Sequence, residues 1–389
     1  MIAWISVLAI TVGTAALIIV LSVFNGFEGL VKSLYGDFYS DIRIVSASGK
    51  YFHFTNDQQR RLAGFPAIRE VSPVVEEKAV LTNGDYQSII RLRGVTDSYK
   101  RVNNIQKHID RGKYELGSVD APRLVLGSGV ENAIRANPSL DLDALTIYLP
   151  NRDAKGTSLE QIMLSYNATS AGSFTIQQEF DNEYAFTNLP FMQYMLNLQP
   201  DQCTALEIKT DLPDDNAISS LKKDIQARFG NRFSVQTRFE QNQSLYTVMQ
   251  VEKWVVYGIL CLILVVAAFN MIGALTMLVL EKQKDIAVLK AMGMNNSAIQ
   301  KLFLYEGMVL AVVGGGAGLL IAVVICLLQT KYKLVKLTGG SFVIDYYPVK
   351  MLPGDFVLVI ITILLVTVLA AWFPSRKAAL QVFSLKSQD

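Results

Sequence analysis

The sequence predicts an α-helical membrane protein with four transmembrane helices and one large mixed α+β domain between the first and the second. Its 389 residues are 51% apolar and have a mean hydropathy of +0.30, which is too apolar for soluble domains alone. Four apolar runs are long enough to cross about 30 Å of hydrocarbon. Between the first two runs, polar and apolar residues alternate as they do in half-buried strands. The first two observations predict the membrane helices and the third predicts the domain.

The first apolar run, residues 2–24, is predicted to be an uncleaved membrane anchor. It lacks the basic segment and the small-residue cleavage site that mark a secretory signal peptide. Small residues in the first and third runs predict close helix packing, because they let neighbouring backbones approach. These small residues are Ala9, Gly13, Gly314 and Gly318. The four transmembrane helices are predicted at residues 1–25, about 255–280, about 302–328 and about 356–373.

The domain is predicted to comprise residues 26–250. Near its end the pattern predicts a strand, a helix and a strand, whose apolar faces need more sheet to cover them. Because both ends of the domain flank membrane helices, we expect a membrane-proximal lobe at about 26–75 and 201–250 and a distal lobe at about 76–200. The predicted strands are 41–45, 145–149, 173–177, 205–209 and 233–237, and the predicted helix is 215–229.

Several classes of function have no support in the sequence. The net charge of +2 comes with no basic tract for nucleic acid. No phosphate-binding loop, nucleophile elbow or metal-ligand spacing is present, and His53 and His108 are isolated in polar surroundings. We therefore expect a non-catalytic chain that binds no cofactor or metal.

Polar residues inside the membrane runs are few. The main ones are Asn270 in the second run and Glu306 in the third, and such residues raise the question of function. A structural role, as an interhelical hydrogen bond or a side chain reaching the interface, is the alternative. Since no chain of acidic residues crosses the membrane, the sequence does not favour a proton-driven transporter.

Loop charges predict the orientation of the chain only weakly. Residues 281–301 and 329–355 carry similar numbers of lysines, and the tail with Arg376, Lys377 and Lys386 decides in favour of cytoplasmic termini. Four crossings place both termini on one side. The large domain is then expected on the other side.

A charged segment after the second apolar run, residues 281–293, is predicted to form a short amphipathic helix. Ile286, Leu289 and Met292 or Gly293 fall on one side at helical spacing, and Gly293 supplies a stop. Lys282, Lys284 and Lys290 are expected to stay in water. Taken alone, the segment fits an ordinary charged loop better than a functional helix.

Residues 267–293 resemble the FtsX-like permease signature in the form found in the lipoprotein-releasing permeases, the LolC/LolE family. Further segments along the chain also resemble that family: 21–27, 125–129, 174–181, 303–307, 344–349 and 374–379. Residues 151–170 lie where one subtype has a carrier-docking hairpin, but differ from it in character. The resemblance covers nearly the whole chain.

The resemblance implies a MacB-like, two-lobed periplasmic domain followed by an FtsX-like permease domain at residues 251–389, in the inner membrane of a diderm bacterium. It implies a coupling helix at about 281–293 that docks on a separate ATPase. The implied coupling residues are Glu281, Lys282, Asp285, Ile286, Leu289, Lys290, Ala291, Met292 and Gly293. The implied substrate cavity involves Phe24, Phe27, Phe269, Asn270 and Glu306.

The implied activity is the extraction of lipoproteins from the outer leaflet of the membrane and their transfer to a periplasmic carrier. The implied partners are a LolD-like ATPase holding ATP and Mg²⁺, a second permease chain, identical or different, membrane lipid and a LolA-like carrier. Two alternatives stay open. One is an FtsX-like mechanotransmission permease that controls cell-wall hydrolases, and the other is a MacB-type efflux or export permease.

Overall fold

The computed structural model describes residues 2–137, 144–150, 163–336 and 346–380. The chain divides into two compact units. The membrane unit contains described residues 2–30, 247–336 and 346–380, and the domain unit contains those between 31 and 246.

The described helices, in chain order, are α1 (Ile2–Phe38), α2 (Asn56–Ala63), α3 (Ser128–Ile134), α4 (Gln178–Glu183), α5 (Leu189–Met195), α6 (Asp215–Phe229), α7 (Arg238–Gln241), α8 (Gln243–Glu281), α9 (Gln283–Ala291), α10 (Asn296–Tyr332) and α11 (Pro353–Leu380). Short 3-10 helices lie at Asp97–Arg101 and Ile105–His108.

The described strands are β1 (Ile42–Ser46), β2 (Phe52–His53), β3 (Ile68–Asn83), β4 (Tyr86–Val95), β5 (Ile109–Gly112), β6 (Arg123–Gly127), β7 (Ala144–Pro150), β8 (Met163–Phe174), β9 (Tyr184–Asn188), β10 (Gln202–Cys203), β11 (Ala205–Thr210) and β12 (Phe233–Thr237).

Four helices, α1, α8, α10 and α11, are long and apolar enough to cross a membrane, which confirms the prediction of four apolar helices. Each extends beyond its apolar run. The fourth run was predicted to end at residue 373, but α11 continues through Pro374 to Leu380. Ala378 and Ala379 are buried there, so packing stabilises helical turns that hydropathy alone does not predict.

The membrane unit packs α1 and α10 side by side in parallel. A Cβ atom added to Gly314 would lie 2.9 Å from the carbonyl oxygen of Val7, and one added to Gly318 would lie 2.5 Å from that of Thr11. The Thr11 hydroxyl also donates to the carbonyl oxygen of Gly314 at 3.0 Å. The predicted close approach at these two glycines is therefore present within one chain.

Helices α8 and α11 run in the opposite direction to α1 and α10. Leu264 of α8 contacts α1 at Gly13, where an added Cβ atom would lie 3.1 Å from its side chain. Ala371 of α11 lies beside Gly307 of α10. Leu17, Met271, Ala311 and Val359, one from each helix, share a single buried apolar cluster.

The domain unit is built on a sheet whose strand order, within the described residues, is β12-β1-β11-β3-β4-β9-β6-β8-β5, with β7 pairing with both β3 and β8. The strands β11 and β12 both pair antiparallel with β1, and α6 connects them. The bounds of α6 and β12 are those predicted. The side chain of Asp214 caps α6 by accepting from the backbone N–H of Ala217 at 2.8 Å.

One predicted strand of the domain differs from the observed one. Residues 173–177 were expected to be extended, but β8 ends at Phe174. The backbone N–H of Ile176 instead donates to the carboxylate of Asp181 at 2.9 Å, which is a local hydrogen bond that competes with sheet pairing.

Strands from both predicted lobes belong to the one sheet, since β3 pairs with β11 and with β4. The division into two lobes stays a prediction. Residues 151–162, the first part of the segment at the position of the carrier-docking hairpin, lie outside the described residues.

Candidate functional site

The predicted coupling segment forms its own short helix. Helix α8 ends at Glu281, and α9 spans Gln283–Ala291. Gly293 follows with φ = 93°, a left-handed conformation that glycine adopts at low cost. The side chain of Asn295 then caps α10 by accepting from the N–H of Ala298 at 2.8 Å. The segment is thus a defined helix between two membrane helices and not an irregular loop.

One face of α9 is buried within the membrane unit. Ile286 is 2% exposed and belongs to a cluster with Val279 of α8, Phe303 of α10 and Ala378 of α11. Ala287 is also buried. This cluster packs α9 closely against three membrane helices.

The Lys290 side chain holds the end of α11 against α9. Its ammonium group donates to the carbonyl oxygen of Ala379 at 2.9 Å. A cation at a helix C-terminus interacts favourably with the unpaired carbonyl groups there. The sequence had predicted Lys290 to be fully in water, but the structure places it half-buried in this contact.

The opposite face of α9 is open. Val288 is 53% exposed and Met292 is 79% exposed, so Met292 does not share the buried side of Ile286. The other exposed residues of this face are Lys284, Asp285 and Ala291, with Glu281 and Lys282 before them. Lys282 and Asp285 form an exposed ion pair at 3.0 Å. The exposed face combines two apolar side chains with charged neighbours, a composition suited to a protein partner.

The structure does not bring the five predicted cavity residues together. Phe24 and Phe27 are half-buried near one end of the membrane unit, and the Phe27 ring centroid lies 6.5 Å from that of Tyr347. Asn270 and Glu306 lie about 15 Å from the α9 end of their helices by helical rise, nearer that end. Both are exposed and have no hydrogen-bond partner among the described residues, and Phe269 is 65% exposed.

A polar cluster around Asn25 was missed by the sequence reasoning. The Asn25 side chain is 3% exposed; its Nδ2 donates to Asp355 and to the carbonyl oxygen of Lys350, and its Oδ1 accepts from Lys253 Nζ at 2.7 Å. A Cβ atom at Gly26 would lie 2.2 Å from the Pro348 carbonyl oxygen. Asn25 therefore joins α1, α8 and α11. A signal was present in the sequence segments 21–27 and 344–349, since the structure brings Gly26 of the first into contact with Pro348 of the second.

The domain unit contains a buried charge network. Arg93 is fully buried, with Glu76 at 2.8 Å and Glu207 at 3.4 Å. Burial would raise the pKa of Glu76, but the guanidinium groups of Arg93, Arg43 and Arg91 outweigh it and hold that pKa at about 2. Such a network favours one defined packing of the sheet over alternatives.

The two histidines each meet one carboxylate. His53 lies 2.9 Å from Asp201 and His108 lies 3.0 Å from Asp37. In the part of the chain that the structure describes, no group of three or more potential ligands is placed to hold a metal ion.

Two family models match the chain. Residues 3–228 match the model described as MacB-like periplasmic core domain, and residues 257–381 match the one described as FtsX-like permease C-terminal. The first covers more than half of the chain.

Relatives match over nearly the full length. The chain is 26% identical over 396 residues to the lipoprotein-releasing system transmembrane protein LolE of Haemophilus influenzae, covering 97% of this chain and 92% of that protein. It is 26% identical over 391 residues to LolC of Neisseria meningitidis, covering 96% and 91%. A solved structure of the periplasmic region of MacB from Actinobacillus actinomycetemcomitans is similar at 13% identity and a TM-score of 0.36, over 56% of this chain and 98% of that one.

Proposed function

The chain belongs to the MacB-like periplasmic core domain family. We propose that it is the permease subunit of an ABC transporter that releases lipoproteins from a membrane. The observation that carries the proposal is the similarity, over more than nine tenths of both chains, to transmembrane proteins of lipoprotein-releasing systems. The match to the FtsX-like permease model supports it for the C-terminal helices.

In this proposal, the exposed face of α9 docks on a separate ATPase subunit that binds ATP and Mg²⁺. Val288 and Met292 are apolar and open to solvent, while Ile286 on the other face fixes α9 to the membrane helices. A closing ATPase would then move α9 and the helices packed against it as one body.

The proposed orientation places both termini and α9 in the cytoplasm and the domain in the periplasm of a diderm bacterium. Asn270 and Glu306 are exposed in membrane helices, where an unpaired polar group is costly. We propose that these two residues, with Phe24, Phe27 and Phe269, face a second permease chain and the acylated substrate between the two. Residues 151–170, which follow β7 and extend into β8, remain the proposed contact with a periplasmic carrier.

Reconstituted transport tests this function. The full chain, with its ATPase, is placed in vesicles that carry a triacylated lipoprotein in the outer leaflet, and a soluble carrier is added. We expect ATP to transfer the lipoprotein to the carrier, and the same polypeptide anchored by a transmembrane helix in place of its acyl chains to stay behind. Transfer of neither, with ATP hydrolysis intact, would favour the mechanotransmission or efflux alternatives.

A further inference from the structure

The membrane unit contains an apolar cavity that the proposed function does not use. It has a volume of about 350 Å³, within the range of small-molecule sites. The cavity lies between the middle of α1, the C-terminal end of α10 and described residues that follow α10. Its lining residues are Ile19, Val23, Ile325, Cys326, Leu328, Gln329, Leu334, Val335, Tyr347 and Val349.

The one amide in the lining is fully used inside the protein. Gln329 is 6% exposed; its Nε2 donates to the carbonyl oxygens of Val335 at 3.0 Å and Tyr347 at 3.1 Å, and its Oε1 accepts from the Val335 N–H at 2.9 Å. These bonds hold Val335 and Tyr347 beside the C-terminal end of α10. They also use both N–H groups of the Gln329 amide and engage its oxygen, so the cavity offers an occupant almost only apolar surface.

Two lining residues are apolar and exposed although they lie beyond the end of a membrane helix. Leu334 is 65% exposed and Val335 is 57% exposed, in a segment that Gln329 holds in place. Exposing this apolar surface to water is unfavourable, and burying it against hydrocarbon is favourable. The occupant is therefore expected to supply methylene groups.

Three lysines are adjacent in sequence to residues that line the cavity. Lys333 and Lys336 flank Leu334 and Val335, and Lys350 follows Val349. All three are exposed, and within the described residues none forms an ion pair with a carboxylate. A ligand with an apolar chain and an anionic headgroup complements both features, because juxtamembrane lysines attract anionic lipid headgroups.

We propose that this cavity is a binding site for an anionic membrane phospholipid, with one acyl chain between α1 and α10 and its phosphate near Lys333, Lys336 and Lys350. The lipid would fill the gap between the two helices and cover Leu334 and Val335. The site requires only that the chain lies in a bilayer, so it stands independently of the transported substrate.

Photo-crosslinking in vesicles tests the site. The full chain with its ATPase is reconstituted in phosphatidylcholine containing a minor share of phosphatidylglycerol, and either lipid carries a diazirine in its acyl chain. We expect the phosphatidylglycerol probe to label peptides containing Leu328 and Val335 in preference to the lipid-facing Leu320, which is 70% exposed on the same helix.

Matched variants separate the site from general lipid contact. Leu328→Trp, which fills the cavity, should lower this labelling about tenfold, the factor that about 1.4 kcal/mol represents, and Leu320→Trp should not. Val335→Trp gives the same information if Leu328→Trp does not fold. Replacing Lys333 and Lys336 by Gln should abolish the preference for phosphatidylglycerol, whereas Lys301→Gln at the other end of α10 should preserve it.

Three results would overturn the proposal. Uniform labelling along α10 that Leu328→Trp leaves unchanged would indicate ordinary surrounding lipid. Crosslinks from the cavity peptides to another protein chain would indicate a subunit interface. Displacement of the probe by an added triacylated lipopeptide would assign the cavity to the substrate instead of a resident lipid.

Discussion

Asn25 shows how one side chain can tie together helices that are distant in sequence. Asn25 lies on α1 and is 3% exposed. Its side-chain amide accepts a hydrogen bond from Lys253 on α8 and donates one to Asp355 on α11. Removing the amide takes away its hydrogen bonds to two charged groups, Lys253 and Asp355, which keep only their longer ion pair of 3.9 Å, and lost hydrogen bonds to charged groups are costly.

We predict that Asn25→Ala destabilises the membrane unit by about 1–3 kcal/mol. The reporter is tryptophan fluorescence during unfolding in detergent, because Trp4, Trp254 and Trp372 all lie in the membrane unit. Asn270→Ala, which removes the same group from an exposed position, is the control and should change stability little. Equal effects of the two substitutions would refute the role given to Asn25.

The carboxyl group of Asp181 should make the stability of the domain unit depend on pH. Burial raises the pKa of its carboxyl to about 6, against weaker lowering by the N–H groups of Ile176 and Gln177 and by His108. The folded state thus holds a proton that the unfolded chain has already released above its ordinary pKa of 3.8. Stability from this group falls as pH rises from about 4 to 6 and is constant above that.

We therefore expect Asp181→Asn to flatten the stability of the domain unit between pH 4.5 and 6. Glu76 acts in the opposite sense, but its contribution is lost only below its ordinary pKa of 4.5. Hydrogen exchange of β6 and β9 is the measurement, since tryptophan does not report on this unit. Asp85→Asn, in the exposed turn after β3, is the control. A wild-type profile in Asp181→Asn would contradict the assignment.

At the scale of elements, the contact between α1 and α10 depends on the missing side chains of two glycines. A Cβ atom at Gly318 would overlap the Thr11 carbonyl oxygen, whereas one at Gly316, on the same helix, would meet nothing within 4 Å. Both glycines have helical backbone within α10 and differ in the atoms that surround them.

Gly318→Ala should destabilise the membrane unit by about 1–3 kcal/mol, the usual cost of overpacking. Gly316→Ala should be neutral or stabilise by up to about 1 kcal/mol, because alanine is the better helix former. Thermal unfolding in detergent compares the two. If both variants unfolded at the same temperature, the close contact at Gly318 would not determine the stability of the membrane unit.

Substitutions on the two faces of α9 should have different effects if α9 is the proposed docking helix. Val288→Glu combined with Met292→Glu should weaken association with the ATPase about thirtyfold or more, as interface hot spots do, and leave the membrane unit folded. Ile286→Glu should instead unfold the surrounding cluster, since it buries a charge. Affinity purification of the ATPase with each variant measures this.

Ile89→Glu is the matched control for α9, because Ile89 is 73% exposed and lies in the domain unit. It should leave ATPase association unchanged. Full association of the Val288 and Met292 double variant would show that the exposed face of α9 is not the docking surface.

The sequence predicted elements better than contacts. Hydropathy was sufficient for four apolar helices, and the period of the pattern was sufficient for α6 and β12, although the cap at Asp214 was not predicted. The helix ends were missed because residues such as Ala378 are helical through tertiary packing. The Asn25 cluster and Arg93 were missed because their partners are far away in sequence, and no local pattern encodes such pairs.

On the scale of the whole molecule, two family models match successive parts of the chain, and the first of them includes the first membrane helix. A MacB-like periplasmic core model covers residues 3–228 and an FtsX-like permease model covers 257–381. A permease with its large domain inserted after the first helix, and with the ATPase on another chain, would act on substrates at the membrane surface without a hydrophilic pore. The central claim is that these substrates are lipoproteins.

Intact-mass spectrometry of the complex tests that claim most directly. The full chain is purified with its ATPase from native membranes, and bound material is identified before and after ATP is added. We predict triacylated lipoproteins that co-purify and leave on ATP addition. A cell-wall hydrolase or a small amphiphile in their place, with no lipoprotein bound, would contradict the account.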